Sequence, residues 1–366
     1  MTTTTTLRPT DLAEVRDAVR DTPGRLAVAG AGTAAGWAGE LGAVDAVLDL
    51  AGLTGVITHN PGDMTVSAHA GTPLRALTEE LAEHGQHVSL DAARIADGAT
   101  LGGLLATADS GPSSLVYGTL RDLVIGVTVV LADGTVARSG GHVIKNVAGY
   151  DLAKLLHGSY GTLGVLAEVV LRLHPVPKRT ATLVVDAPLA RAAELAARVL
   201  EGPFEPVALE WTSDGRLLVR IEGTDEALPA RVARLQEVLG AGATTPEGDP
   251  WTRHAELTRG APDAAVLRIG ARPSLLPALV SELAPDAATA GLGTGVATVS
   301  LPPDAVADAH TRVHAAGGTS QLRSRPVGAD APAWGPPPSA LAVLRAVKTA
   351  LDPDGRFGPG RFSPWM

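Results

Sequence analysis

The sequence has 366 residues, 45% hydrophobic and 19% charged, with 42 glycines, no cysteine and a formal net charge of −9. This globular composition lacks the cysteines needed for disulfides, thiolate metal sites, a cysteine nucleophile or an iron–sulfur cluster held by this chain. No basic stripe suggests nucleic-acid binding, no apolar run approaches the roughly 18 residues of a membrane span, and the threonine-rich N-terminus has no secretory signal pattern. We therefore expect a cytoplasmic protein, with peripheral membrane association only through a complex.

Helix and strand patterns alternate in the first half of the chain. A capped helix is predicted to begin after Asp11 and to run to about Arg20. A second helix is predicted over 74–84, because leucines recur there at spacings of three and four. Strands are predicted at 25–29, 46–50, 56–57, 64–70, 123–131 and 163–173, and a short helix at 152–157.

The pattern changes after a proline-containing segment at 174–177. Short alternating strands are predicted at 181–185, 207–211, 216–221, 265–269 and 296–301, with helices at 189–200, 228–239, 274–283 and 304–315. Such strands are too short and too alternating for a buried parallel sheet, which favours an α+β unit. After the prolines at 336–338, a last helix is predicted over 340–351. The sequence thus predicts three parts: 1–178, 179–335, and 336–366 returning to the first.

The first glycine loop, Gly30-x-Gly32-x-x-Ala35, formally matches a dinucleotide-binding fingerprint. A Rossmann unit would need a helix directly after it, whereas three further glycines interrupt the stretch before the next strand. This disfavours an NAD(P)-dependent reductase. The loop is then either a phosphate cradle of backbone N–H groups or a tight turn between strands.

Further glycine clusters follow at the ends of predicted elements. Read in order, the motifs are Ala29-Gly-Ala-Gly-Thr33, Ala70-Gly-Thr-Pro-Leu74, Ala99-Thr-Leu-Gly-Gly103, Lys145-Asn-Val-Ala-Gly-Tyr-Asp-Leu152, Gly161-Thr-Leu-Gly-Val165 and the tail 351–361. In this order and spacing the chain resembles the vanillyl-alcohol-oxidase/PCMH-type FAD-binding flavoproteins, among them the FAD-binding subunits of bacterial glycolate oxidase. The resemblance covers 25–177 and 340–362 best.

The resemblance implies an α+β, PCMH-type FAD-binding fold of two α/β subdomains with an inserted α+β cap domain. It implies FAD bound noncovalently, because the first loop lacks the histidine that attaches FAD in some members. The cofactor-binding residues that it implies are Ala29, Gly30, Ala31, Gly32, Thr33, Thr100, Gly102, Gly103, Thr107, Gly111, Tyr117, Gly118, Gly161, Gly164 and Val165.

Two functions follow from the resemblance. One is an FAD-dependent oxidoreductase subunit that oxidises glycolate or a related 2-hydroxy acid and passes electrons to a separate iron–sulfur subunit. The other is a non-catalytic FAD-carrying subunit that supports a paralogous catalytic flavoprotein, because the cap has no His-Gly-Asp-Gly-Asn-type motif.

The catalytic residues stay unassigned, and candidates for the substrate and metal sites are few. Arg323, Arg325 and Arg361 are candidates for binding a substrate carboxylate, although each is equally well interpreted as a surface or interface charge. No metal site is predicted, because His310 and His314 are expected to lie on a solvated helix surface.

Overall fold

The structure is a computed structural model that describes residues 4–144 and 149–366. The first four residues of the motif 145–152 therefore lie outside the described residues. Within the described ranges, no helix combines the length and the apolar character needed to cross a bilayer.

The first half of the chain forms two main sheets. A parallel sheet has the order β1-β3-β2, an antiparallel sheet has the order β4-β5-β9-β7-β8, and β6 pairs with β10. The elements are β1 (Thr5–Leu7), α1 (Leu12–Asp21), β2 (Leu26–Ala29), β3 (Ala46–Asp49), β4 (Val56–Asn60), β5 (Thr65–His69), α2 (Leu74–Ala82), β6 (Gln86–His87), α3 (Leu101–Ala106), α4 (Ser114–Tyr117), α5 (Leu120–Leu123), β7 (Val124–Val130), β8 (Val136–Gly140), α6 (Leu152–Leu156), β9 (Val165–Arg172) and β10 (His174–Pro175).

Two local predictions are confirmed here. The Asp11 carboxylate accepts a hydrogen bond from the Glu14 backbone N–H at 2.8 Å, which caps α1. The connection between β2 and β3 contains turns and no helix, although the two strands are parallel. The glycine loop is therefore not the start of a Rossmann crossover.

The second half forms one antiparallel sheet of order β11-β13-β12-β15-β16-β14-β17. Its elements, with the last helix, are β11 (Arg179–Asp186), α7 (Leu189–Glu201), β12 (Ala208–Thr212), β13 (Arg216–Gly223), α8 (Leu228–Leu239), α9 (Pro250–Arg259), β14 (Ala265–Gly270), α10 (Leu276–Leu283), β15 (Ala287–Gly291), β16 (Val296–Leu301), α11 (Val306–Ala315), β17 (Thr319–Ser324) and α12 (Leu341–Leu351). The sequence did not predict α9, β15 or β17.

The two faces of this seven-stranded sheet differ in polarity because successive side chains point to opposite sides. One face contributes residues such as Leu209, Leu267 and Val299 to an apolar core shared with α7, α8, α10 and α11. The other face bears polar side chains in the middle strands and contacts the first half of the chain, for example through Arg220 and Asp91, 2.6 Å apart. We call residues 179–335 the cap.

The last residues of the chain pack against the first sheet. Phe357 is buried in the same core as Leu26 and Leu48, and the Leu26 N–H donates to the Arg356 carbonyl at 2.8 Å. The Arg356 guanidinium donates to the carbonyls of four residues, Val19, Thr22, Gly24 and Ala132. The division into three parts at 178 and 335 stays a prediction.

The expectation that His310 lies on a solvated surface is wrong. Its side chain is buried, with Nδ1 2.6 Å from the Ser320 hydroxyl and Nε2 3.1 Å from the Pro332 carbonyl oxygen. His310 therefore fastens α11 to β17 and to the segment that follows.

Candidate functional site

A deep cavity opens between the parallel sheet and the antiparallel sheet of the first half. It contains about 1170 Å³ of space free of protein atoms, part of it open to solvent. Many residues that the sequence singled out meet at its surface: Ala29, Gly30, Ala31, Gly32, Thr33, Thr100, Gly102, Gly103, Thr107, Gly161, Gly164 and Arg361. We call it the glycine-lined cavity.

Bare backbone is required at several points of this lining. Gly32 and Gly161 have φ values of +73° and +69°, which side chains other than glycine seldom adopt. A Cβ at Gly30 would lie 2.4 Å from the Thr100 hydroxyl oxygen, and one at Gly102 would lie 3.0 Å from the Ala70 Cβ. The main chain is therefore packed closely enough that larger residues are excluded.

Arg94 connects three parts of this lining. Its guanidinium donates to the Thr33 hydroxyl and to the Thr107 hydroxyl, both at 2.9 Å, and to the Asp109 carboxylate at 3.0 Å. Thr107 in turn donates to the Gly103 carbonyl at 2.7 Å. The first glycine loop and the end of α3 are thus held at a fixed separation.

Asp109 also binds a second arginine, from the cap. Arg323 Nη2 lies 2.9 Å from the Asp109 carboxylate, and the side chains of Arg94, Asp109 and Arg323 are all buried. The guanidinium carbons of Arg94 and Arg323 lie 3.9 and 4.1 Å from the Trp37 ring centroid, as in cation–π contacts. We call these four residues the Asp109 cluster.

A second cavity, of about 660 Å³ free of protein atoms, lies between the polar face of the cap sheet, α9 and the segment 91–114. We call it the cap cavity. Arg323 lines it, whereas Arg94 lines the glycine-lined cavity. The Asp109 cluster therefore forms the boundary between two adjacent cavities.

The charges that line the cap cavity are mostly paired. Glu210 and His254 are both buried, with Glu210 Oε2 3.2 Å from His254 Nε2. Burial raises the pKa of Glu210, and the hydrogen bond from His254 opposes that rise. Arg268 lies among these groups, and burial, followed by the charge of Arg323, lowers its pKa to about 10.

The remaining residues that the sequence singled out lie outside the glycine-lined cavity. Gly111 lines the cap cavity, the Tyr117 hydroxyl donates to Glu222 of the cap at 2.6 Å, and Gly118 ends α4 with a φ of +78°. Val165 is fully buried in the core behind the parallel sheet. Arg325 donates to the carbonyls of Ala38 and Ala331.

Sequence reasoning missed most of the charged residues at the two cavities. They are Arg94, Asp109, Arg268, Glu210 and His254, and none of them stands in a motif that the sequence analysis used. The sequence does not show which charged side chains become buried beside one another, because the partners are distant along the chain. No local signal marked these residues.

The chain is similar to several known proteins. Residues 4–140 match a protein family described as "FAD binding domain". Glycolate oxidase subunit GlcE of Escherichia coli is 32% identical over 195 residues, which are 53% of this chain and 54% of that protein. Glycolate oxidase subunit GlcD of Bacillus subtilis is 40% identical over 125 residues, 33% of this chain and 26% of that protein.

Another relative is the D-lactate dehydrogenase of Archaeoglobus fulgidus, 34% identical over 192 residues, 47% of this chain and 42% of that protein. The chain spans about half or less of the length of these three relatives. Among solved structures, an alkyldihydroxyacetonephosphate synthase superposes with a TM-score of 0.70 at 17% identity, over 97% of this chain and 75% of that one. This likeness shows the fold.

Proposed function

We propose that this chain, a flavoprotein with the PCMH-type FAD-binding fold, is an oxidoreductase subunit acting on a small 2-hydroxy acid. Glycolate and D-lactate, the compounds in the names of the relatives, are both 2-hydroxy acids. The observation on which the proposal rests most is the adjacency of the two cavities across the Asp109 cluster. One cavity suits a large cofactor and the other suits a small polar ligand.

The lining of the glycine-lined cavity fits FAD. The Tyr160 hydroxyl lies in this lining, is buried and has no hydrogen-bond partner among the residues that the structure describes. Such a group is costly to bury unpaired and is expected to bond a ligand. The open space beside Gly32 lets backbone N–H groups approach a pyrophosphate closely. When bound, FAD would supply the acceptor for a hydride equivalent.

We assign the roles of the lining residues accordingly. The loop 29–33 would hold the pyrophosphate, and the residues of α3 and its cap Thr100 would lie along the ribityl chain and the flavin. Arg94 would position both segments without leaving its own bonds to Thr33, Thr107 and Asp109. Since no histidine of the described residues lines this cavity, we propose that FAD is held noncovalently.

Electrons would leave through partner subunits in this proposal. The chain has no cysteine, so an iron–sulfur centre would have to be held by another subunit. Two of the relatives are named as subunits of glycolate oxidase, which supports an assembly. If that assembly contacts a membrane, we propose that the partner subunits make the contact.

A second candidate is a non-catalytic FAD-carrying subunit. It is favoured by the pairing of charges in the cap cavity, where Arg220 binds Asp91, Arg323 binds Asp109 and His254 binds Glu210. A cavity neutralised by its own side chains has less free charge to offer a substrate. In this case a paralogous flavoprotein would oxidise the substrate.

The visible spectrum of the purified chain, with the released cofactor identified, tests the common part of both candidates. We expect bound FAD, and a folded protein that takes up no FAD would contradict both. Steady-state oxidation of glycolate and D-lactate with an artificial acceptor then separates them. Turnover by the chain alone excludes the non-catalytic role, whereas FAD without turnover favours it.

A further inference from the structure

Three arginines among the described residues line the cap cavity, and they differ in their counter-ions. Arg220 lies 2.6 Å from Asp91, and Arg323 lies 2.9 Å from Asp109. Arg268 has no carboxylate within 4.0 Å among the residues that the structure describes, and its guanidinium makes one long contact, 3.4 Å, with the Ser110 hydroxyl. Among the described residues, Arg268 is thus a cation of this cavity that forms no ion pair.

The sheet places a second donor beside Arg268. Arg268 on β14 lies directly opposite Thr298 on β16, so the two side chains point to the same face with Cβ atoms about 5 Å apart. The Thr298 side chain is buried, and it lines the cap cavity together with Arg268 and Ser110. A guanidinium and two hydroxyls therefore converge on one region of the cavity, next to the Asp109 cluster.

The balance of charges around Arg268 indicates the charge of an anion that this region would accept. Arg220 and Asp91 form a neutral pair. Asp109 is shared by two arginines, so it neutralises Arg323 on the side of the cap cavity and leaves the excess charge on Arg94, which lines the glycine-lined cavity. The pair Glu210–His254 is neutral when it holds one proton, on whichever partner that proton lies. Among the described residues that line the cap cavity itself, one positive charge, that of Arg268, then remains, and it matches a monoanion better than a dianion. The carboxylates of Asp91 and Glu210 in the same lining would repel a second negative charge.

We infer that Arg268 binds the carboxylate of a small monocarboxylate in the cap cavity, with the hydroxyls of Thr298 and Ser110 as further hydrogen-bond donors. This inference rests on the proposed function and assigns its substrate site to this chain. A planar guanidinium can donate two parallel hydrogen bonds to a carboxylate. An uncompensated cation in a cavity is also costly until an anion binds. The sequence analysis had considered other arginines, Arg323, Arg325 and Arg361, for this carboxylate-binding role.

The test uses the full-length, FAD-loaded chain and 2-hydroxyisobutyrate as the probe. This monocarboxylate keeps the hydroxyl but has no hydrogen on the carbon that would be oxidised, so it binds without turnover. Titration calorimetry compares the wild type with Arg268→Gln and with the exposed control Arg272→Gln. We expect Arg268→Gln to weaken the Kd at least tenfold and Arg272→Gln to leave it unchanged.

Two further measurements keep the result interpretable. Since Arg268 forms no ion pair with the described residues, the urea midpoint of Arg268→Gln should equal or exceed that of the wild type. Inorganic phosphate should compete poorly with the probe. Unchanged probe binding in Arg268→Gln, a lowered urea midpoint or equal competition by phosphate would each overturn the inference.

Failure of this inference differs visibly from failure of the proposed function. A wild-type chain that binds FAD yet shows no saturable binding of the probe overturns the site at Arg268 and leaves FAD binding intact. A folded chain that takes up no FAD overturns the proposed function itself.

Discussion

Arg323, on the last strand of the cap sheet, forms a buried ion pair with Asp109, with 2.9 Å between Nη2 and Oδ1. Because Asp109 also binds Arg94, this pair joins the cap to the glycine-lined cavity. Asp109 therefore helps to hold the two cavities in a fixed relative position, together with other contacts between the cap and the first half such as the Arg220–Asp91 pair.

The first prediction concerns this carboxylate. Asp109→Asn leaves two buried guanidinium groups without their shared counter-ion, which should lower the free energy of unfolding by about 3–5 kcal/mol. Urea denaturation measures the change. The control is Asp308→Asn, which breaks an exposed pair with Arg312 and should cost about 1 kcal/mol or less. Similar losses in the two variants would contradict the role given to Asp109.

The second prediction separates backbone strain from contact with the cofactor. Gly32→Ala and Gly328→Ala both place a Cβ on a residue of positive φ, +73° and +80°, and neither Cβ would meet another protein atom within 4 Å. Each should cost about 1 kcal/mol of stability. Only Gly32 lines the glycine-lined cavity, so only Gly32→Ala should weaken FAD binding, by tenfold or more in a fluorescence titration. Equal FAD affinity in the two variants would remove the loop from the cofactor site.

The third prediction concerns the Tyr160 hydroxyl. Tyr160→Phe should weaken FAD binding by about 1 kcal/mol, roughly fivefold in Kd, because one hydrogen bond to the ligand is lost. The FAD-free variant should be as stable as the FAD-free wild type or more stable, since the hydroxyl has no partner among the described residues. Tyr150→Phe, at a side chain that is 92% exposed, is the control and should change neither quantity. Loss of stability in the FAD-free form would point to a partner within the protein.

The fourth prediction is that the flavin is released by acid. After acid precipitation of the FAD-loaded chain, the yellow cofactor should remain in the supernatant, because no histidine of the described residues lines the cavity. Absorbance of the two fractions measures this. Flavin that stays with the washed pellet would show a covalent bond and would redirect attention to residues outside the cavity lining.

The fifth prediction concerns stability at mildly acidic pH. Burial, followed by the charges of Arg121 and Arg268, lowers the pKa of His157 from 6.5 to about 4, and burial also lowers the pKa of His87, His174 and His310. Below pH 6.5 the unfolded chain therefore binds protons that the folded chain does not, so stability present above that pH is lost as pH falls toward 4.

Urea midpoints between pH 7 and pH 5.5 test the fifth prediction. The midpoint should fall with pH in the wild type and less steeply in His157→Gln. His84→Gln, at an exposed residue, should keep the wild-type slope. If the midpoint of the wild type rises as pH falls, the prediction is wrong.

Local patterns predicted most of the elements of the fold but not those that complete the cap cavity. The helix α9 has few apolar residues because one side of it, with Trp251 and His254, faces that cavity. Strand β17, Thr-Ser-Gln-Leu-Arg-Ser, is polar for a related reason, since Arg323 points toward Asp109. Apolar periodicity cannot reveal a helix or strand when polar side chains replace much of its apolar face, as they do where these elements face the cavity.

Some residues of the candidate site could likewise be predicted from the sequence, and others could not. Gly30, Gly32, Gly102 and Gly161 could be selected in advance because a required backbone conformation or close approach restricts the residue at that position itself. Arg268 could not be selected, because what distinguishes it is that no carboxylate of the described residues lies within 4.0 Å of it. That absence depends on which carboxylates the fold brings near it.

By itself, the sequence determined the properties that depend on one residue and its neighbours: the glycine turns, the capped first helix, and the exclusion of cysteine chemistry. Only the tertiary structure decided that Arg94 and Arg323 share Asp109, that the cap sheet turns its polar face toward the first half, and that Arg268 has no carboxylate of the described residues beside it. The physical reason is range. Backbone conformation is governed by local sterics, whereas the pairing of buried charges depends on side chains that are distant along the chain and adjacent only after folding.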